Sequence, residues 1–138
     1  MGKVRKPLLL GSGRLAAPHP ASIDANTLKP HFSLEYLVPD ARFNLTKCAQ
    51  PERADFALAL RDRSLMTWAE IINTPRQGLG FEKISRLTVS LPDTVPDDKR
   101  NQIIAFRFGR LARFLGFRDA RVFHVLWIDV SGETYDHG

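Results

Sequence analysis

Arg113, His124, Tyr135 and His137 are side chains of the types that hold phosphate and move protons, and all four lie in the last 26 residues of this 138-residue chain. A guanidinium stabilises charge developing on a phosphodiester, while an imidazole or phenol can take or give a proton. Arg107, Arg110, Arg118 and Arg121 surround them, so five arginines fall within 15 residues with Asp119 as the sole acid between them. Such a stretch concentrates positive potential and points to an anionic partner. Lys83 is a candidate for the same surface, and Lys3, Arg5 and Lys6 form a second basic group suited to RNA or an acidic protein. No metal-ligand spacing or phosphate loop accompanies them, so the expected chemistry uses no metal and no cofactor. Gly78-Leu79-Gly80 lacks the strand and helix of a dinucleotide fingerprint and reads as a turn.

A structural reading stands beside each functional one. A histidine within an apolar strand is more often a hydrogen-bonded core residue than a catalyst. Arginine stems can cover a sheet while their heads pair with loop aspartates.

The elements that must position these groups follow from periodicity. Ile103–Phe108, Leu111–Arg118 and Arg121–Asp129 each have strand length and are parted by turn-like Gly109-Arg110 and Asp119-Ala120. This predicts an antiparallel meander. The run Val122–Ile128 is apolar on both faces and so is expected at the centre, covered on one side by helices and on the other by further chain. If the loops at Asp119-Ala120 and Ser131-Gly132 each have two residues, Leu115 falls opposite His124, Arg113 opposite Leu126, and His137 opposite Leu126 from the other side. One face then gathers Arg113, His124, Tyr135 and His137. A one-residue slip would scatter them, because side chains alternate between faces.

Upstream, Phe32, Leu34 and Tyr36 alternate as in a half-buried strand, and a second short strand is expected over Arg42–Thr46. Pro51 and Glu52 open a helix whose inner face is read as Phe56, Ala57, Leu60 and Ser64. Thr67-Trp68-Ala69-Glu70 is a capping box, predicting a second short helix to about Asn73. Phe81–Leu91 reads as a strand, followed by a polar loop to Arg100.

The expected organisation is a basic extended arm, residues 1–30, and one α+β domain, 31–138, with an antiparallel β-sheet meander packed against two short helices. The arm carries Lys3, Arg5, Lys6, Arg14 and Lys29 against Asp24, or +4 of the net +5, leaving fifteen bases and fourteen acids in the body. The apolar run Leu8–Leu10 is too short for a signal peptide, and no run approaches membrane-spanning length. With Cys48 as its one cysteine, the chain is expected to work in a reducing cytoplasm without a disulfide.

Helices followed by an antiparallel meander, with basic residues in Ile103-Ile104-Ala105-Phe106-Arg107-Phe108 and Arg113-Phe114-Leu115-Gly116-Phe117-Arg118, then Phe123–Asp129 and Tyr135, resemble the RelE/ParE toxin superfamily. The resemblance covers the last two-thirds of the chain. It implies a metal-independent endoribonuclease of a toxin-antitoxin or phage-defence system, acting on RNA that can be ribosome-bound and held inactive by an antitoxin. Arg107, Arg113 and Arg118 would be its middle-strand cations, and Tyr135 or His137 its terminal group. Departures from the family are the 30-residue arm, the additional early strand and the short second helix. The Phe-His-Val-Leu-Trp-Ile-Asp run, with Thr67-Trp68 and Gly80, is also similar to small bacterial and phage proteins. The alternative is a non-catalytic module binding nucleic acid or protein, including a phage-encoded inhibitor or assembly protein.

Overall fold

The computed structural model describes residues 23–136, so Lys3, Arg5, Lys6 and His137 lie outside the described residues. Five strands form one sheet: β1 (His31–Ser33), β2 (Phe81–Lys83), β3 (Ile104–Arg107), β4 (Arg113–Asp119) and β5 (Val122–Asp129), in the spatial order β1-β5-β4-β3-β2. Helices α1 (Gln50–Ser64) and α2 (Trp68–Ile72) cover one face. The architecture is α+β and mostly antiparallel, with β1 alone pairing in parallel, onto β5.

Helix α1 starts where Pro51 predicts, and the Glu52 carboxylate accepts the Ala49 amide at 2.7 Å. Its inner face is Phe56, Ala59, Leu60 and Arg63; Ala57, expected inside, is exposed. Arg63 hides the stripe in the sequence because an arginine is not expected at a fully buried position. Thr67 and Glu70 form the expected capping box, with bonds of 3.2 and 2.8 Å, and Asn73 is the C-cap of α2. The glycines at 78 and 80 lie in the connection to β2. A Cβ on Gly80 would fall 1.9 Å from the Thr74 carbonyl oxygen, so the close backbone approach there requires glycine.

Two expected strands are replaced by other structure. Arg42–Thr46 begins instead within a 3-10 turn, Ala41–Phe43, whose Asp40 cap accepts the Arg42 amide at 3.0 Å and which buries Phe43. The strand expected over Phe81–Leu91 ends at Lys83, after which residues 84–95 cross the second face of the sheet and bury Val95 with Ile84, Leu87, Val89 and Leu91 around it. The apolar residues that suggested a longer strand are there to cover the face left open by the helices. Part of the segment expected as an arm belongs to the body: Leu28 accepts the Trp68 amide at 3.0 Å and Lys29 accepts the Arg121 Nε at 3.0 Å.

The register of β4 on β5 departs from expectation in two steps. The tight turn is Ala120-Arg121, with Ala120 at φ 53°, which shifts the pairing so that Phe117 faces His124. An irregularity at Leu115/Gly116 adds a residue on β5, so Leu115 faces Trp127 and Arg113 faces Asp129 rather than Leu126. The expected return of the chain along β5 is also overturned up to Asp136, His137 lying outside the described residues. That edge is taken by β1 and by Val38, whose amide donates to Leu126 at 3.0 Å. Instead the Asp129 carboxylate folds the chain back by accepting the amides of Gly132 and Thr134 and the Thr134 hydroxyl at 3.0, 2.8 and 2.7 Å. Tyr135 then bridges Leu87 on the covered second face.

Candidate functional site

Where the returning chain meets the end of β2, Glu82, Lys83, Ser85, Arg86, Tyr135 and Asp136 line a polar cleft of about 260 Å³. Of these Tyr135 is only 3% exposed, and its hydroxyl donates to Glu82 Oε1 at 3.2 Å. Arg76 Nη1 donates to the other Glu82 oxygen at 3.1 Å. The Arg113 guanidinium is close enough to Tyr135 to favour its ionised form. The phenol is thus bonded to a carboxylate and influenced by a guanidinium.

Burial pushes the Tyr135 phenol above its ordinary value; the Arg113 guanidinium opposes the rise and the Glu82 charge adds to it. At neutral pH it is therefore protonated and acts as a donor. The cleft lining carries two cations, Lys83 and Arg86, and two acids, Glu82 and Asp136, with Arg86 3.7 Å from Asp136. Arg76, on Glu82, and the buried Arg113 add two further cations beside it.

Arg113 is 4% exposed and lies directly across from Arg107 on β3. Like charges in that position repel. The β3–β4 connection answers this, since Arg113 Nη1 donates to the carbonyls of Ala112, Arg110 and Gly109 at 3.0, 3.3 and 3.5 Å. The Nε atoms of both arginines are buried without a hydrogen-bond partner, an arrangement that favours an anion or water beside them.

Other expected site residues lie elsewhere. His124 shares the sheet face of Arg113 but pairs with Phe117, four positions along β4 from Arg113, about 13 Å at strand spacing. Its ring sits 5.0 Å from Phe117 and 4.9 Å from Tyr36, inside an aromatic group. Arg118 lies on the helix face, 4.3 Å from the Trp68 ring, donating to Ala120 at 2.7 Å and to Asn26. Arg121 holds Lys29, and its carbonyl accepts the Trp68 indole at 2.9 Å. Arg110 is exposed at the connection tip, and Lys83 is exposed on edge strand β2. The structure therefore brings Arg113 to Tyr135, with Lys83 in the cleft lining and Arg107 across from Arg113, and places His124 and Arg121 elsewhere, while Arg118 shares a second cavity with Lys83.

The sequence reading missed Glu82, Arg76, Arg86 and Asp136. Asp136 and Glu82 each stand next to a named residue, Tyr135 and Lys83, but nothing local joins Glu82 to Tyr135, 53 positions away. The reading of arginine heads paired with loop aspartates also changes, because Arg63, Arg113, Arg118 and Arg121 are held by backbone carbonyls. Among the described residues no group of His, Cys, Asp and Glu could hold a metal ion, and no helix is long and apolar enough to cross a membrane. No protein-family model, no curated protein and no solved structure matches the chain.

Proposed function

We propose that the protein binds RNA, with the phosphodiester backbone running through the cleft beside Tyr135. The observation that carries this reading is the Tyr135 phenol bonded to Glu82 and influenced by Arg113, in a polar cleft whose lining includes the cations Lys83 and Arg86. Lys83 and Arg86 supply phosphate contacts at the rim, and the Glu82 carboxylate is an acceptor for a ribose 2′-hydroxyl, the group that distinguishes RNA from DNA. Basic residues Lys3, Arg5 and Lys6 would add sequence-independent affinity. The test is fluorescence anisotropy of labelled single-stranded RNA and DNA of one sequence. Tighter binding of RNA, weakened about tenfold by Lys83→Ala with Arg86→Ala, is expected; equal binding of the double variant would defeat the assignment.

The Glu82–Tyr135 bond favours a second reading, metal-independent RNA cleavage. Glu82 would take the 2′-hydroxyl proton as that oxygen attacks phosphorus, and Tyr135 would give its proton to the departing 5′-oxygen while Arg113 offsets the charge. The products would be a 2′,3′-cyclic phosphate and a 5′-hydroxyl. In chelator, Tyr135→Phe should lower the cleavage rate by about a hundredfold while RNA affinity changes little. Intact RNA after prolonged incubation with the wild-type chain leaves binding as the function. The toxin-antitoxin setting and an antitoxin partner rest on the superfamily resemblance.

A further inference from the structure

A second cavity, about 300 Å³, lies across β2 from the cleft, and Lys83 and Ile84 line both. Its walls differ in kind. Phe81 and Ile84 are apolar and half-buried, whereas Asn101 and Gln102 present exposed side-chain amides with no hydrogen-bond partner among the described residues. Ile103, Ile104 and Arg118 complete the lining, the Arg118 guanidinium held over Trp68.

We propose that this cavity receives one nucleobase of the RNA strand whose backbone occupies the cleft. The inference rests on the RNA-binding reading and adds the element that would give it base preference. Three features argue for that occupant. The two cavities adjoin at Lys83, so a strand whose phosphate pairs with that ammonium at the sheet edge can place its sugar on one side and its base on the other. The volume is at the lower end for ligand sites and fits a single ring system. Apolar side walls with two amides match the two demands of a splayed base, contact for its faces and paired donors and acceptors for its edge. A phosphate alone would gain nothing from Phe81 and Ile84, and an aliphatic ligand would leave the amides unused.

The experiment uses the full chain with labelled oligo(rA), oligo(rC), oligo(rG), oligo(rU) and an abasic ribose-phosphate oligomer. The wild type should bind one homopolymer at least tenfold more tightly than the abasic strand. Asn101→Ala with Gln102→Ala should remove that preference and leave abasic binding unchanged, since these exposed side chains carry no part of the cleft. Wild-type melting in the double variant confirms that folding is intact. Equal affinity of the wild type for all five strands, or a preference that survives in the double variant, overturns the base pocket while leaving RNA binding in place. Failure of the wild type to bind any strand removes both.

Discussion

At the scale of single residues, arginine does more structural work here than its charge suggests. Arg63 is fully buried, donates to the carbonyls of Leu79, Ala59 and Arg107 at 3.0 to 3.1 Å, and lies 4.8 Å from the Phe106 ring. Burial lowers its pKa to about 10, which still leaves it charged at neutral pH. Arg63→Met keeps the stem but orphans those carbonyls, and should lower stability by about 3 kcal/mol in urea denaturation, with m unchanged. Tyr135 makes a prediction of opposite character. Its folded pKa is raised, so its contribution to stability is full below the unfolded phenol value near 10.0 and is lost as pH rises through the folded value. The fall in melting temperature between about pH 9 and 11 should accordingly be steeper in the wild type than in Tyr135→Phe. Identical slopes would show that the phenol is not held as described. His124 shows why residue type alone misleads: an imidazole in an apolar strand is visible in sequence, but its two aromatic neighbours come from β4 and from the chain after β1.

At the scale of elements, the β4–β5 pair decides the site. The sequence correctly marked both strands and their antiparallel pairing, while the turn position and the bulge were not legible. Ala120 occupies a left-handed turn position that is ordinarily marked by Gly, Asn or Asp. The bulge has a structural marker in Gly116, where a Cβ would fall 1.9 Å from the His124 carbonyl oxygen. Gly116→Ala must therefore move a backbone strand at the sheet centre. It should cost more than about 3 kcal/mol or abolish folding, measured by chemical denaturation, whereas Gly109→Ala, whose Cβ would meet only Ala112 at 3.2 Å, should be far milder. The helices were more readable because caps are local: Pro51, Glu52, Thr67 and Glu70 act within a few residues of themselves.

At the scale of the whole molecule, the net charge of +5 is distributed rather than pooled. Arg113, Arg118 and Arg121 lie within one basic stretch of sequence, yet they face different parts of the structure and clamp different loops. The cations beside the Tyr135 cleft come instead from residues as far apart as Arg76 and Arg113. RNA binding there should weaken with salt, and Lys83→Ala with Arg86→Ala should reduce the slope of log affinity against log salt by roughly 0.7 for each phosphate contact removed. An unaltered slope would place the strand elsewhere. The sheet is covered on both faces, by helices on one and by irregular chain on the other, and the polar cleft beside Tyr135 opens at its β2 edge.

By itself the sequence determined the α+β class, the two helices with their starts, and three of the strands, because hydrophobic period and capping are read over a few consecutive residues. It also pointed to Arg113 and Tyr135, which do meet. Tertiary structure decided what those residues meet. Tyr135 reaches Glu82 only because Asp129 turns the chain away from β5, β1 occupies the edge it would have followed, and residues 84–88 carry the partner segment across the sheet. Each of these contacts joins segments tens of residues apart, and one residue added by a bulge changes which of them coincide.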